Sequence, residues 1–204
     1  MIHPRCQCPS PSQHRGPRIV LTGGPGAGKT AVLEVVRRHL CEHVTVLPEA
    51  AAIVYGGGFP RHPTDVARRA AQVSIFHVQN QLERMALGEG SPALVLCDRS
   101  VLDGVAYWPG DPAEYFAAVG ESRDAMLARY AAVIHLRMPA GGAAANLRGS
   151  GNEGGAIERR LLEVWSGHPR RLIVPCEADF LDRLRPTLAF LRRELPSCCQ
   201  PPVA

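Results

Sequence analysis

The chain has 204 residues, of which 46% are hydrophobic and 21% charged, and a net charge of +4. That length suits one α/β domain. No apolar run reaches the roughly 18 residues of a membrane span and no charged-then-apolar signal opens the chain, so the expected compartment is the cytoplasm; the basic residues are spread out, which suits anion handling and argues against nucleic acid as a partner.

Residues 1–16 are rich in Pro, Ser and Gln and are expected to form a disordered tail. Arg18 to Thr22 reads as a short apolar strand. A Gly-rich turn follows, then a helix with Val32, Val35, Val36 and Leu40 on one face. Val44 to Leu47 reads as a second strand, ending at Pro48-Glu49, and residues 56–63 as a loop. A long helix is predicted from Thr64 to Leu87, with Ile75, Val78, Leu82 and Met85 as its buried stripe. Ala93 to Cys97 is a buried strand that delivers Asp98-Arg99. Asp111-Pro112 with Glu114 carries the marks of a helix start. A further helix is expected over Ser122 to Tyr130, a fourth strand over Ala132 to Leu136, and a Gly- and Ala-rich segment over 139–156. A helix from Ala156 to Trp165, a fifth strand from Arg171 to Val174 and a last helix from Ala178 to Leu195 complete the pattern. The domain is therefore expected over 17–195, with 196–204 as a C-terminal tail. Strands alternating with helices predict an α/β fold with a mainly parallel five-stranded sheet, helices on both faces, and ligands at the carboxyl ends of the strands.

The seven cysteines are scattered: Cys6 and Cys8 near one end, Cys198 and Cys199 near the other, and Cys41, Cys97 and Cys176 in or beside apolar segments. Without paired CxxC motifs they read as thiols in a reducing compartment.

Gly23-Gly24-Pro25-Gly26-Ala27-Gly28-Lys29-Thr30 matches G-x-x-x-x-G-K-[ST] in full. Such a loop turns backbone N–H groups toward phosphates, and the following helix, through Ala31, adds its positive end. Lys29 is expected at the β- and γ-phosphates of ATP or GTP, and the Thr30 hydroxyl on Mg²⁺. Of 23 basic residues only Lys29 is lysine, standing where a compact ammonium fits and a broad guanidinium does not.

The second acidic site separates hydrolases from kinases. Asp98 ends a buried strand, where a carboxylate can hold Mg²⁺, and the next residue is Arg99 rather than a water-activating Glu. With one lysine, no Asn-Lys-x-Asp base-reading motif exists. Glu49 ends the second strand, where a carboxylate can accept a proton from an acceptor hydroxyl; its alternative role is to cap the next helix. On the long helix Arg68, Gln72, Phe76 and Gln79 share a stripe suited either to a polar ring or sugar or to an ordinary boundary. Arg61, in the loop before it, is a candidate for a substrate anion. Arg148 in the Gly-rich segment, with Arg159 and Arg160 beyond it, is the candidate lid cation.

GGPGAGKT, PEAA at Glu49, LCDRSVLDG at Asp98 and a Gly-rich lid occur in this order over 18–195. In this the chain resembles the P-loop kinase superfamily, and within it a group of AAA-domain predicted ATPases and kinases allied to nicotinamide riboside kinase; it is also similar, more weakly, to deoxynucleoside kinases. The resemblance implies a 2-3-1-4-5 sheet, Glu49 as base, Gln79 at the acceptor, and Asp98-Arg99-Ser100 beside the phosphates. The expected activity is ATP-dependent phosphoryl transfer, with Mg²⁺, to a small hydroxylated metabolite such as a nucleoside. The other reading is a nucleotide-binding regulator that controls a protein partner. The acceptor, the preferred purine and the oligomeric state are not written in the sequence.

Overall fold

The computed structural model describes residues 14–139, 151–176 and 179–200. Five strands form one sheet: β1 (Arg18–Thr22), β2 (Val44–Leu47), β3 (Leu94–Asp98), β4 (Ala132–Leu136) and β5 (Arg171–Val174). Their order is β2-β3-β1-β4-β5 and every pairing is parallel. Parallel strands need crossovers, and here helices supply them: α1 (Lys29–His39), α2 (Ala50–Gly56), α3 (Asp65–Gly88), α4 (Gly104–Tyr107), α5 (Pro112–Val119), α6 (Arg123–Ala128), α7 (Gly151–Val164) and α8 (Phe180–Glu194). No helix among the described residues is long and apolar enough to cross a membrane.

The central strands are buried on both faces, which is why β3 and β4 read as continuous apolar runs. The two faces divide by the alternation of a strand. Ile19 and Leu21 of β1 pack in one layer with Leu33 and Val36 of α1 and Leu184 and Leu191 of α8. Val20 faces the other layer, with Phe76, Tyr115, Met126 and Trp165.

The helix starts follow the local chemistry. Thr64 accepts from Ala67 N–H, Asp111 from Ala113 N–H and Ser122 from Ala125 N–H, so the predicted cap at 111 forms and two more side-chain caps stand at 64 and 122. The long helix, however, is turned relative to the expected stripe. Met85 is 50% exposed, and Ile75, Val78 and Leu82 are only half-buried. The buried face is instead Ala71, Gln72, Phe76, Gln79 and Glu83. A carboxylate can lie inside because its partners are there: Glu83 accepts from Arg18 (3.0 Å), Tyr130 (2.7 Å) and Gln79 (3.0 Å). Two short helices, α2 and α4, add to the predicted elements, and neither has a side-chain cap. At the chain ends, Gly16 N–H bonds Pro92 C=O, and Cys199 is buried in a 3₁₀ turn (Ser197–Cys199), so packing extends past the expected bounds of 17 and 195.

Candidate functional site

The loop from β1 into α1 is shaped by two backbone constraints. Gly23 has φ +143°, and a Cβ there would meet the Leu136 carbonyl; Gly28, the N-cap of α1, has φ +82°. Only glycine takes both positions without strain. The N-terminus of α1 has no side-chain cap and no acid in its first turn. Its orphan N–H groups and dipole therefore favour an anion. Lys29 is buried, and its Nζ donates to the carbonyls of Gly23 (3.1 Å) and Gly24 (3.4 Å). Burial, with Arg99 nearby, lowers its pKa to about 8 against the opposing pull of Asp98, Glu49 and Asp103. Thr30 is exposed beside it. From α8, Arg183 donates to the Ala27 carbonyl, and to that of Arg137 at 3.1 Å.

Leu21 of β1 pairs with Asp98, so the end of β3 stands beside the phosphate loop. Asp98 Oδ1 is buried with no hydrogen-bond partner among the described residues. Burial, only partly offset by Lys29, raises this carboxyl to a pKa of about 6. A buried carboxylate oxygen without a partner among the described residues is chemically suited to a hard divalent cation, so Asp98 fits Mg²⁺. Arg99 follows with φ +68°, a left-handed conformation uncommon for a side chain of its size. Its Nε donates to Glu49 Oε1 at 2.6 Å, and its guanidinium lies 5.2 Å from the Tyr107 ring centroid. Burial would lower the Arg99 pKa, but Tyr107, Asp103 and Glu49 outweigh it and keep the group charged. Glu49 occupies the N-cap position of α2 yet makes no capping bond. The capping alternative for Glu49 is thus not the arrangement seen.

Asp103, behind this group, is wholly committed to the protein. It accepts from Thr22 Oγ1 (2.8 Å), Trp165 Nε1 (2.7 Å) and Ser100 Oγ (3.3 Å). Glu158 of α7 makes a second buried hub. Its carboxylate accepts from Gly24 N–H (2.8 Å), Arg137 Nε (3.1 Å) and Met138 N–H (3.4 Å), and pairs with His135 Nε2 at 3.1 Å. Burial pushes this acid's pKa up, but the His135 pairing and the two backbone donors win and leave it below the usual value. Glu158 was not a sequence candidate: a single Glu in an amphipathic helix carries no spacing signal. Nor did anything mark His135, in the middle of an apolar strand.

The expected acceptor stripe is placed unevenly. Gln79 is buried, with its amide on Glu83. Phe76 packs edge-on against Tyr115 and is buried. Gln72 is buried one turn earlier and Arg68 is half-buried. Arg61 stacks 3.8 Å over the Tyr55 ring. Arg148 lies outside the described residues; Arg159 and Arg160 are exposed on α7.

A family model described as an AAA domain matches residues 18–183. No curated protein matches the chain in sequence. Among solved structures, the chain is similar to a thymidylate kinase from Candida albicans (TM-score 0.60, 13% identity, covering 88% of this chain and 92% of that one). It is similar also to a deoxyadenosine kinase from M. mycoides with bound dATP (0.58, 14%, 86% and 98%). A third is the NadR protein in complex with NR (0.64, 14%), of which it spans about half: 88% of this chain and 52% of that one. The shared architecture is the P-loop kinase fold with its 2-3-1-4-5 sheet.

Proposed function

This chain belongs to the AAA domain family, and from that premise we propose that it is an ATP-dependent phosphotransferase acting on a small hydroxylated metabolite in the cytoplasm, a nucleoside being the first class to test. The observation that carries the reading is the meeting of Lys29, Asp98 and Glu49 at the carboxyl edge of one sheet, with Glu49 held by Arg99 at 2.6 Å. The backbone of Gly23, Gly24, Pro25, Gly26, Ala27, Gly28, Lys29, Thr30 and Ala31 wraps the triphosphate. The Lys29 ammonium leaves its two loop carbonyls for the β- and γ-phosphate oxygens. Thr30 and Asp98 would hold Mg²⁺, which would supply charge neutralisation to the triphosphate. Glu49 takes the proton of the acceptor hydroxyl as its oxygen bonds the γ-phosphorus and the bond to ADP breaks. Arg99 orients that carboxylate. Arg61, Arg68 and Gln72 are the candidate polar groups for the acceptor, while Phe76 and Gln79 support it from within the core, and Arg148 is the candidate cation for the transferring group.

The experiment is ATP consumption by the purified chain with a panel of nucleosides, nicotinamide riboside and other small alcohols. Stimulation by one of them, with a phosphorylated product by mass spectrometry, supports the reading. If none stimulates, and a protein is captured in a nucleotide-dependent manner, the regulatory reading replaces it.

A further inference from the structure

The opposite edge of the sheet gathers a second cluster of chemistry. Cys41 follows α1 and His43 precedes β2; His14 lies in the segment before β1; Cys198 and Cys199 sit in the 3₁₀ turn after α8. The ligand atoms of Cys41, His43 and Cys199 lie within 4.8 Å of one another, as do those of His14, Cys198 and Cys199. Cys41 Sγ is 3.4 Å from His43 Nδ1, and Cys199 Sγ is 3.8 Å from His43 Nδ1 and 3.7 Å from His14 Nε2. His14 Nε2 also lies 3.3 Å from Cys198 Sγ.

We propose that this cluster is a structural zinc site, with Cys41, His43 and Cys199 as its three protein ligands. A tetrahedral ion with Zn–S of about 2.3 Å and Zn–N of about 2.0–2.1 Å holds sulfur and nitrogen about 3.5 Å apart. The two sulfur–nitrogen separations within this trio, 3.4 Å and 3.8 Å, match the edges of such a tetrahedron. The donors are thiols and an imidazole without a carboxylate, which selects a soft or borderline cation over Mg²⁺ or Ca²⁺. Two thiolates balance the charge of the ion, so a half-buried site carries no net charge to desolvate. No local spacing marks the site, because its ligands come from two remote segments and no CxxC is present. An ion here would tie the C-terminal turn to the end of α1 and the start of β2. It stands at the amino edge of the strands, away from the phosphate loop, so its role is in stability.

The test uses the full chain, expressed with zinc and purified under reductant, with metal measured by elemental mass spectrometry. One zinc per chain is expected. Chelation should lower Tm by several degrees, and Co²⁺ added to the stripped protein should give the visible bands of a tetrahedral ion with thiolate charge transfer. Cys199→Ser and His43→Asn should each weaken Co²⁺ binding at least tenfold, while Cys176→Ser should not. Stripped wild type reports on the site even if a variant fails to fold. A reduced, folded wild type that carries no zinc and gives no tetrahedral Co²⁺ spectrum overturns the proposal, as does undiminished Co²⁺ binding in Cys199→Ser.

Discussion

Arg99 and Glu49 join the ends of two adjacent strands: Nε of the first donates to Oε1 of the second at 2.6 Å, while Arg99 holds a backbone φ of +68°. The left-handed backbone turns the guanidinium from the end of β3 toward the end of β2. One pairing thus fixes both the direction of the strand exit and the position of the candidate base.

Replacing Arg99 separates these two contributions. Arg99→Ala should destabilise the chain by about 1–3 kcal/mol, because Glu49 loses its donor and buried Asp103 loses the cation 3.9 Å away. Arg99→Gly loses the same donor but relieves the left-handed strain, worth about 1 kcal/mol. The glycine variant is therefore expected to melt above the alanine variant in urea. Equal midpoints would mean that the backbone at residue 99 is not strained.

Lys29 gives a pH signature. Its pKa in the fold is lowered to about 8 from 10.5, mainly by burial. The unfolded chain therefore binds the proton more tightly. The penalty, about 3 kcal/mol for a depression of this size, is full below pH 8 and fades as pH rises toward 10.5. Lys29→Met should accordingly be the more stable protein at pH 7, with the gap closing at high pH. Triphosphate binding should take up a proton near pH 8, seen by calorimetry in buffers of different ionisation enthalpy. Lys29→Ala should lose about 10- to 100-fold in affinity. Equal affinity in both proteins would sink the phosphate-loop assignment.

Asp98 works in the opposite direction. Its carboxyl is raised to about 6 from 3.8, mainly by burial. The folded state then holds the proton more tightly, so stability falls as pH rises from about 3.8 to 6 and the cost persists above. Asp98→Asn removes that cost. The variant should melt a few degrees higher than wild type at pH 7.5 without metal, yet lose the Mg²⁺ dependence of nucleotide binding. Retained Mg²⁺ dependence would make Asp98 purely structural.

Glu158 should behave as a brace for the loop. Its carboxylate holds Gly24 N–H at 2.8 Å, and its pKa lies below 4.5. A depressed acid stabilises the fold above its unfolded pKa, and that contribution is lost as pH falls through the folded value. Glu158→Gln should therefore be less stable than wild type at pH 7, and the two should converge below pH 4.5. Its nucleotide affinity should fall several-fold because the loop's first peptide is less fixed. Parallel melting curves across the whole pH range would remove the brace.

The sequence carried the strands and their edge because buried parallel strands are uniform apolar runs and each ended at a punctuating residue: Gly23, Pro48, Asp98. It misplaced the inner face of α3 because Gln79 and Glu83 look like solvent residues until Arg18 and Tyr130, distant in sequence, are beside them. The turn of the Gly-rich loop was legible since the backbone at Gly23 and Gly28 demands glycine. Glu158, His135 and the cysteine–histidine cluster were not, because each takes its role from a neighbour more than 20 residues away. Local pattern carries no record of such contacts.

The final test concerns Glu49. If its carboxylate is the base, it is needed only while the acceptor oxygen attacks, so its basicity should matter to turnover and hardly to ATP binding. Glu49→Gln keeps the shape and leaves an oxygen to accept from Arg99 Nε. It should hold ATP affinity within a few-fold and cut turnover by roughly 10²- to 10⁴-fold. Folding should survive, because Glu49 makes no capping bond to α2. The salt bridge to Arg99 is one-third exposed on the Glu49 side, so losing its charge costs little stability. Arg99→Ala supplies the complementary measurement. It leaves the base intact but unoriented, and should lower turnover less than Glu49→Gln does. Combined with Glu49→Gln, it should add little, because the two residues act as a unit. The assay is turnover with the stimulating acceptor, run beside a melting curve. Wild-type turnover in Glu49→Gln would remove it as the base, and Asp98 would be the next carboxylate to test.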